Sequence, residues 1–318
     1  VQVVMQRGVR HYHDQTTRPL NDLRWETMTL LAHGAFGTMV DKTAYDGWLD
    51  PVFYQRLATV FQEADEKRKH FGQPLHADVG IYFSHRTRDW LGRENAAKAW
   101  QGTLGTHKAF VYAHVPWGIV LDENAGLERL QSFPVIALPN IGVLLENEVA
   151  ALTEYVEAGG NLIITGITGL HDRYGNPRDT SALEKLIGGR WKRTLDSKDN
   201  HIRFKKTESD SPFAKGIPAD WPFLVHGNAV VYEPITAKAW GELLPPHRTV
   251  LQREGKEGTR FPMSADTANP LGPAILVNQV GSGKVVTFAC SPGEAATSEF
   301  HIAEARQLLP NAMRYLQP

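Results

Sequence analysis

Two short apolar runs within the first 41 residues each lead into groups that could do chemistry. VQVVM at 1–5 is followed by QRGVRHYHD, which carries His11, His13 and the first carboxylate of the chain, Asp14. AFGTMV at 35–40 ends directly on Asp41. A carboxylate at the end of a strand is the kind of group a hydrolase uses as acid, base or nucleophile. His11 and His13 share one side if their segment is extended, but a single H-x-H pair without further ligands is thin support for a metal. Polar groups on a rim, or plain loop structure, are the other readings. A third place is GGNLIITGITG at 159–169, an apolar strand followed at once by a glycine-flanked turn. In α/β enzymes that junction often lifts a nucleophile out of the sheet. Here it carries Ile167 and Thr168, and a threonine hydroxyl would need a base beside it. His171 is three residues on, and the sequence alone sets no geometry between them. The expectation is a structural turn.

The elements that must position these groups read as two series. Leu20, Leu23, Thr27, Leu30 and Leu31 mark one face of a helix at spacing three to four. Asp50 and Pro51 supply an N-cap and a first-turn proline for a second helix lined by Phe53, Leu57, Val60, Phe61 and Ala64. Two βα units within 1–71 fit the last two of a (β/α)8 barrel, whose chemistry sits at the carboxyl ends of the strands. After a linker, FGQPLH, strands and helices alternate again from residue 77 to 166. That alternation calls for a parallel, doubly wound sheet of flavodoxin-like order. Over about 189–273 the pattern changes to short alternating strands, read as a β-rich insertion. PAILVNQV and GKVVTFAC follow, separated by a hairpin-like GSG, and a helix over 299–316 is expected to end the series. The fold class is therefore α/β, with units at 1–71 and 77–318.

Composition removes several alternatives. The 318 residues are 42% hydrophobic and 22% charged with a formal net charge of −1. No electrostatic case therefore exists for nucleic acid or an anionic membrane. No apolar run approaches the roughly 18 residues of a membrane span. Cys290 is the single cysteine, which excludes an intrachain disulfide and a cysteine-rich zinc site; a buried small side chain is its simplest reading. GSGK at 281–284 lacks full phosphate-loop spacing, so no cofactor is expected. Val1 opens directly on a strand, and the chain reads as the carboxy-terminal piece of something longer.

Several stretches carry a family likeness. LLAHGAFGTMVDKTAYDGWLDPVFYQRLATVFQEADEKR resembles the end of the catalytic barrel in glycoside hydrolases related to the family 42 β-galactosidases. VIALPNIGVLLENEVAALTEYVEAGGNLIITGITGLHDRYGNP resembles the trimerisation domain that follows such a barrel, a glutamine amidotransferase-like fold without amidotransferase function. The resemblance implies hydrolysis of O-glycosidic bonds by two carboxyl groups, the acid/base following the fourth barrel strand, outside this chain, and the nucleophile following the seventh. If 1–5 is that seventh strand, Asp14 is the first carboxylate available there; the glutamate of the family pattern is absent from its end. Asp14 and Asp41 are then the catalytic candidates, with Asp41 as a loop-bonding carboxylate the plainer alternative. His11, His13, Tyr45, Asp46 and Trp48 are candidates for sugar contact, the aromatic rings matching the apolar face of a sugar. The likeness also implies a carbohydrate substrate and a homo-oligomer, a trimer. The rival reading is a non-catalytic assembly module with the amidotransferase-like fold and no nucleophile.

Overall fold

The computed structural model describes residues 1–8, 16–41, 46–195, 197–247 and 264–317. Internal contacts divide the chain into two compact units, Val1–Leu75 and His76–Pro318.

In the first unit β1 (Gln2–Gln6) pairs in parallel with β2 (Phe36–Val40), in the register Gln2↔Phe36 to Gln6↔Val40. The helix α1 (Leu20–Ala32) connects them and α2 (Pro51–Glu66) follows β2. Leu23, Phe53, Leu57 and Val60 form the small core between the helices, with Leu20 and Met39 packed on it. Met5 lies against Gly37, where an added Cβ would fall 2.3 Å from the methionine methyl. Asp50 caps α2 as its position before Pro51 requires: its Oδ1 accepts the Val52 amide at 2.9 Å. Phe61, expected on the buried face, is exposed instead. Its neighbour Val60 takes the core position, since adjacent helical residues cannot both face one stripe.

The second unit is built on one nine-stranded sheet. Its parallel part comprises β3 (Val79–Phe83), β4 (Trp117–Leu121), β5 (Val135–Pro139) and β6 (Asn161–Thr165). Around these run α3 (His85–Leu91), α4 (Ala96–Tyr112), α5 (Leu127–Leu130), α6 (Glu146–Glu157) and α7 (Glu184–Ile187). Next come β7 (Gly189–Leu195), β8 (Asp199–Arg203), β9 (Phe223–His226), β10 (Ala229–Pro234) and β11 (Lys238–Leu244). The short β12 (Pro246–His247) and β13 (Ser264–Ala265) pair with each other. Then β14 (Gly272–Val280), β15 (Gly283–Phe288), α8 (Pro292–Thr297) and α9 (Ala303–Leu316) complete the unit.

The strand order is β4-β3-β5-β6-β15-β14-β11-β8-β9. The first five are parallel and stand in the doubly wound order 2-1-3-4-5. From β14 onward every pairing is antiparallel, so β8, β9 and β11 continue the same sheet while β7 and β10 form a separate pair. Alternation along the strands sends side chains to two layers. Val79, Ile81, Val135 and Ala137 point to the layer with Phe110, Phe213 and Leu308 from α4, the 212–214 turn and α9. Tyr82, Ile136 and Leu138 point to the layer with Leu130, Leu152 and Ile187 from α5, α6 and α7.

The expected closing helix is α9, starting a few residues later than the sequence suggests, and a short helix not expected from sequence, α8, precedes it. Ser291 accepts the Glu294 amide and Pro292 occupies the first turn, which starts α8. Ser298 is extended at φ −67°, ψ 148°, which ends α8 before α9 begins. At the β14–β15 hairpin Gly281 has φ +58°, and an added Cβ would lie 2.5 Å from the Glu157 carbonyl. Glycine is required there on both counts.

Candidate functional site

Arg7 follows β1 and Asp41 follows β2, and parallel pairing brings them side by side at the carboxyl ends of the two strands. The Arg7 amide donates to the Val40 carbonyl at 3.2 Å, continuing the ladder. One guanidinium nitrogen, Nη1, lies 3.0 Å from Asp41 Oδ1, and Nη2 lies 3.0 Å from Asp50 Oδ2. Arg7 is 4% exposed, so this fork is a buried ion triad. The Thr17 hydroxyl also donates to Asp50 Oδ2, and the guanidinium carbon sits 5.6 Å from the centre of the Phe53 ring. Asp50 is held below the usual carboxylate range, chiefly by the Thr17 hydroxyl, then by the Val52 amide and the Arg7 charge. Desolvation and the Asp41 charge push the Tyr54 phenol upward.

Of the residues named from sequence, the structure therefore joins Asp41 to Arg7 and, through it, to the helix cap Asp50. Asp46 accepts the Trp48 amide at 3.0 Å, a turn contact, while the Trp48 indole is half exposed. His11, His13, Asp14 and Tyr45 lie outside the described residues. Sequence reasoning passed over Arg7, Thr17 and Tyr54. A basic residue directly after an apolar strand was the one visible signal for Arg7.

The glycine-flanked turn is tied to the backbone throughout. Thr168 is fully buried and its Oγ1 lies 3.1 Å from the Leu138 carbonyl and 2.7 Å from the Thr165 carbonyl. The same oxygen accepts the Ile141 amide at 3.0 Å. The Ile167 amide donates to Asn140 Oδ1 at 2.9 Å, which fixes the second half of the turn. Gly166 and Gly169 take φ of +56° and +74°. A hydroxyl committed to three backbone groups is a clamp between the ends of β5 and β6. Thr168→Ala is expected to cost about 1–3 kcal/mol by leaving the buried Ile141 amide unpaired, read as a lower urea midpoint. Ammonia release from glutamine should be absent before and after the change; release by the unaltered protein, lost in the variant, would make Thr168 a nucleophile. Cys290 offers no alternative, because burial pushes its thiol up to about 12.

A second buried polar network crosses the carboxyl ends of β3 and β4. Asp122 accepts the Ser84 hydroxyl at 3.1 Å and the Arg86 amide at 3.2 Å, and lies 3.1 Å from His85 Nδ1. The Arg86 side chain bridges Asp122 to Glu148, which also receives the Tyr82 phenol at 3.0 Å. Serine, histidine and aspartate are all present, yet the serine hydroxyl is bonded to the aspartate and not to the imidazole. The arrangement caps α3 through Ser84, whose Oγ accepts the Thr87 amide, and fastens α6 to the sheet. Burial raises the Glu148 carboxyl, partly offset by the Leu145 amide and the Arg86 charge. Among the described residues no three His, Cys, Asp or Glu side chains gather to hold a metal ion, and no helix is long and apolar enough to cross a membrane.

Residues 77–308, nearly the whole second unit, match the model of the β-galactosidase trimerisation domain. The chain belongs to that family. Solved structures agree on the fold of this trimerisation-domain protein. An α-L-fucosidase isoenzyme 2 from Paenibacillus thiaminolyticus superposes with a TM-score of 0.74 at 15% identity, over 98% of this chain and 44% of that one. A β-galactosidase from Bacillus circulans sp. alkalophilus gives 0.69 at 14%, over 99% and 44%. Gan42B, a GH42 β-galactosidase from G. stearothermophilus, gives 0.64 at 17%, over 88% and 39%. At such identities the likeness shows the fold alone, and the chain spans about two fifths of the length of these enzymes. Among curated protein sequences no match was found.

Proposed function

We propose that the chain is part of a β-galactosidase-like glycoside hydrolase that cleaves O-glycosidic bonds by a two-carboxylate mechanism. The first unit supplies the last two βα units of its (β/α)8 barrel, and the second is the assembly domain of amidotransferase-like, flavodoxin-like fold. The observation that carries this reading is the Arg7 fork at the carboxyl ends of β1 and β2, the end where barrels of this class hold substrate. The strand pair's own exposure supports it, since Val4 and Phe36 are 55% and 56% exposed. Parallel strands are ordinarily covered on both faces.

In this reading Arg7 holds the Asp41 carboxylate oriented towards sugar hydroxyls, and Asp14 is the nucleophile candidate. Trp48 offers its exposed indole to a sugar face, with Asp46, Tyr45, His11 and His13 around it. The acid/base belongs to a barrel strand outside these residues. The assembly role is supported by the apolar residues Trp100, Leu104 and Val111, which spacing places on one outward stripe of α4 and which are all at least one-third exposed. Self-association as a trimer would cover that stripe. A non-catalytic assembly module is the second reading, favoured by the clamped, thiol-free turn at Thr168.

The deciding experiment compares this chain with a protein extended by the preceding six βα units. Both are assayed on aryl β-D-galactosides and aryl α-L-fucosides, with mass followed by light scattering. The chain alone should be inactive and trimeric. The extended protein should turn over one substrate, with Asp41→Asn lowering kcat/KM by about 100-fold. Robust turnover by the chain alone would overturn the barrel reading, an inactive extended protein would favour the module, and a monomer at all concentrations would remove the assembly role.

A further inference from the structure

The second unit contains a cavity of about 350 Å³ that neither the rim of the first unit nor the Thr168 turn uses. It lies near the carboxyl ends of β5 and β15, where open α/β sheets take their ligands. Its size is at the small end of the ~300–1,000 Å³ range of ligand clefts, which suits a molecule of monosaccharide size. Lys98 and Gln101 come from α4, Lys198 from the turn before β8, His226 from the end of β9, and Glu294 from α8. Phe300, beyond the break between α8 and α9, stands at the mouth and is 55% exposed.

The polar groups are arranged but not mutually satisfied. Glu294 Oε2 lies 3.4 Å from Asn140 Nδ2, and burial raises the carboxyl while the charges of Lys98 and Lys198 act in the opposite sense. Neither lysine ammonium has an ion-pair partner among the described residues. Two cations thus face the same space as a carboxyl without closing on it. The His226 ring is fixed by Ser298, whose Oγ is 2.9 Å from Nδ1, and stands edge-on to Phe300 at 5.3 Å between centres. The exposed Glu299 adds a second carboxylate at the edge, so the cavity offers both charge signs, amide groups and one aromatic face.

We propose that this cavity binds a small hydroxylated carboxylate, a sugar acid. Its carboxylate lies between Lys98 and Lys198, its hydroxyls meet Glu294 and Gln101, and one ring face turns to Phe300. A bare anion would leave Glu294 unpaired and repelled, and a neutral sugar would leave both ammonium groups without a counter-charge. The inference is independent of the glycosidase reading, because it concerns binding by the chain as it stands and requires no turnover.

The test titrates the chain with D-galacturonate, D-galactose and inorganic phosphate, by calorimetry or ligand-observed NMR. Galacturonate should bind with Kd below about 1 mM, and the other two at least about tenfold more weakly. The double change Lys98→Met and Lys198→Met should weaken galacturonate by at least about tenfold. Both side chains are exposed, so the melting temperature should hardly move. Glu294→Gln should weaken galacturonate while improving phosphate, because the repulsion is gone. Equal binding of phosphate or of galactose, unchanged affinity in the lysine variant, or no binding of galacturonate would each overturn the proposal.

Discussion

Arg7→Met is expected to cost the first unit about 3–5 kcal/mol, because it strands two carboxylates that now share one buried guanidinium as their ion partner. Amide exchange would show the loss locally, as faster exchange in peptides from α1 and α2 with little change in the parallel strands of the second unit. The effect should depend on pH in a definite direction. Asp50 has a depressed pKa, so its contribution is present above the unfolded carboxylate value of about 3.9 and is lost as pH falls through the lower folded value. Removing Arg7 removes part of that depression and leaves desolvation to act, so the variant should suffer most near neutrality and least in acid. Arg7→Lys should be intermediate, since one ammonium cannot reproduce a fork that reaches two carboxylates. Unchanged exchange in α2 at neutral pH would show that the triad does not hold the unit together.

Gly105→Ala should be as damaging to the second unit. A Cβ at that position would lie 1.6 Å from the Gly293 carbonyl oxygen, and one at Gly293 would lie 2.3 Å from Thr106 Oγ1 and 2.5 Å from the Gly102 carbonyl. The helices α4 and α8 meet backbone to backbone, so no flexible side chain can move aside. Alanine would ordinarily gain about 1 kcal/mol over glycine inside a helix, but separating the two backbones costs about 3 kcal/mol or more net. For a unit of this size that is a fall of roughly 6–12 °C in melting temperature. Gly126→Ala is the matched control: nothing lies within 4 Å of its added Cβ and its φ of −75° suits any residue, so it should melt with the unaltered protein. Equal melting of the two variants would mean that α4 and α8 separate without cost.

The parts of the fold that were legible in the sequence are those set by local rules. Strand–helix alternation from residue 77, the Asp50-Pro51 cap and the glycine hairpin after β14 are each written within a few neighbouring residues. The short α8 was missed although Ser291 and Pro292 mark its start, because six residues are too few to show a helical period. Contacts across long separations left no local trace. Arg7 meets Asp41 and Asp50 across 34 and 43 positions, and Arg86 meets Glu148 across 62. Asp50 was legible as a cap, from one neighbour, but not as an ion partner, which needs the register of β1 on β2. The lysines facing Glu294 are separated in the same way, since Lys98, Lys198 and Glu294 sit on three elements and share no spacing.

The position of β15 in the sheet bears on how the second unit folds. This strand stands fifth of nine, between the parallel and antiparallel halves, and Asn161 at the start of β6 reaches its Lys284 amide across 123 residues. On a growing chain β3 to β6 are therefore complete long before the strand that joins them to the rest is made. Until then β6 keeps a bare apolar edge, and β8, β9 and β11 have nothing to bind them to the parallel half. Such high contact order slows folding and leaves an unpaired edge open to other chains. Protection during synthesis is thus needed most by the interior strand β6, and ends only when β15 is made.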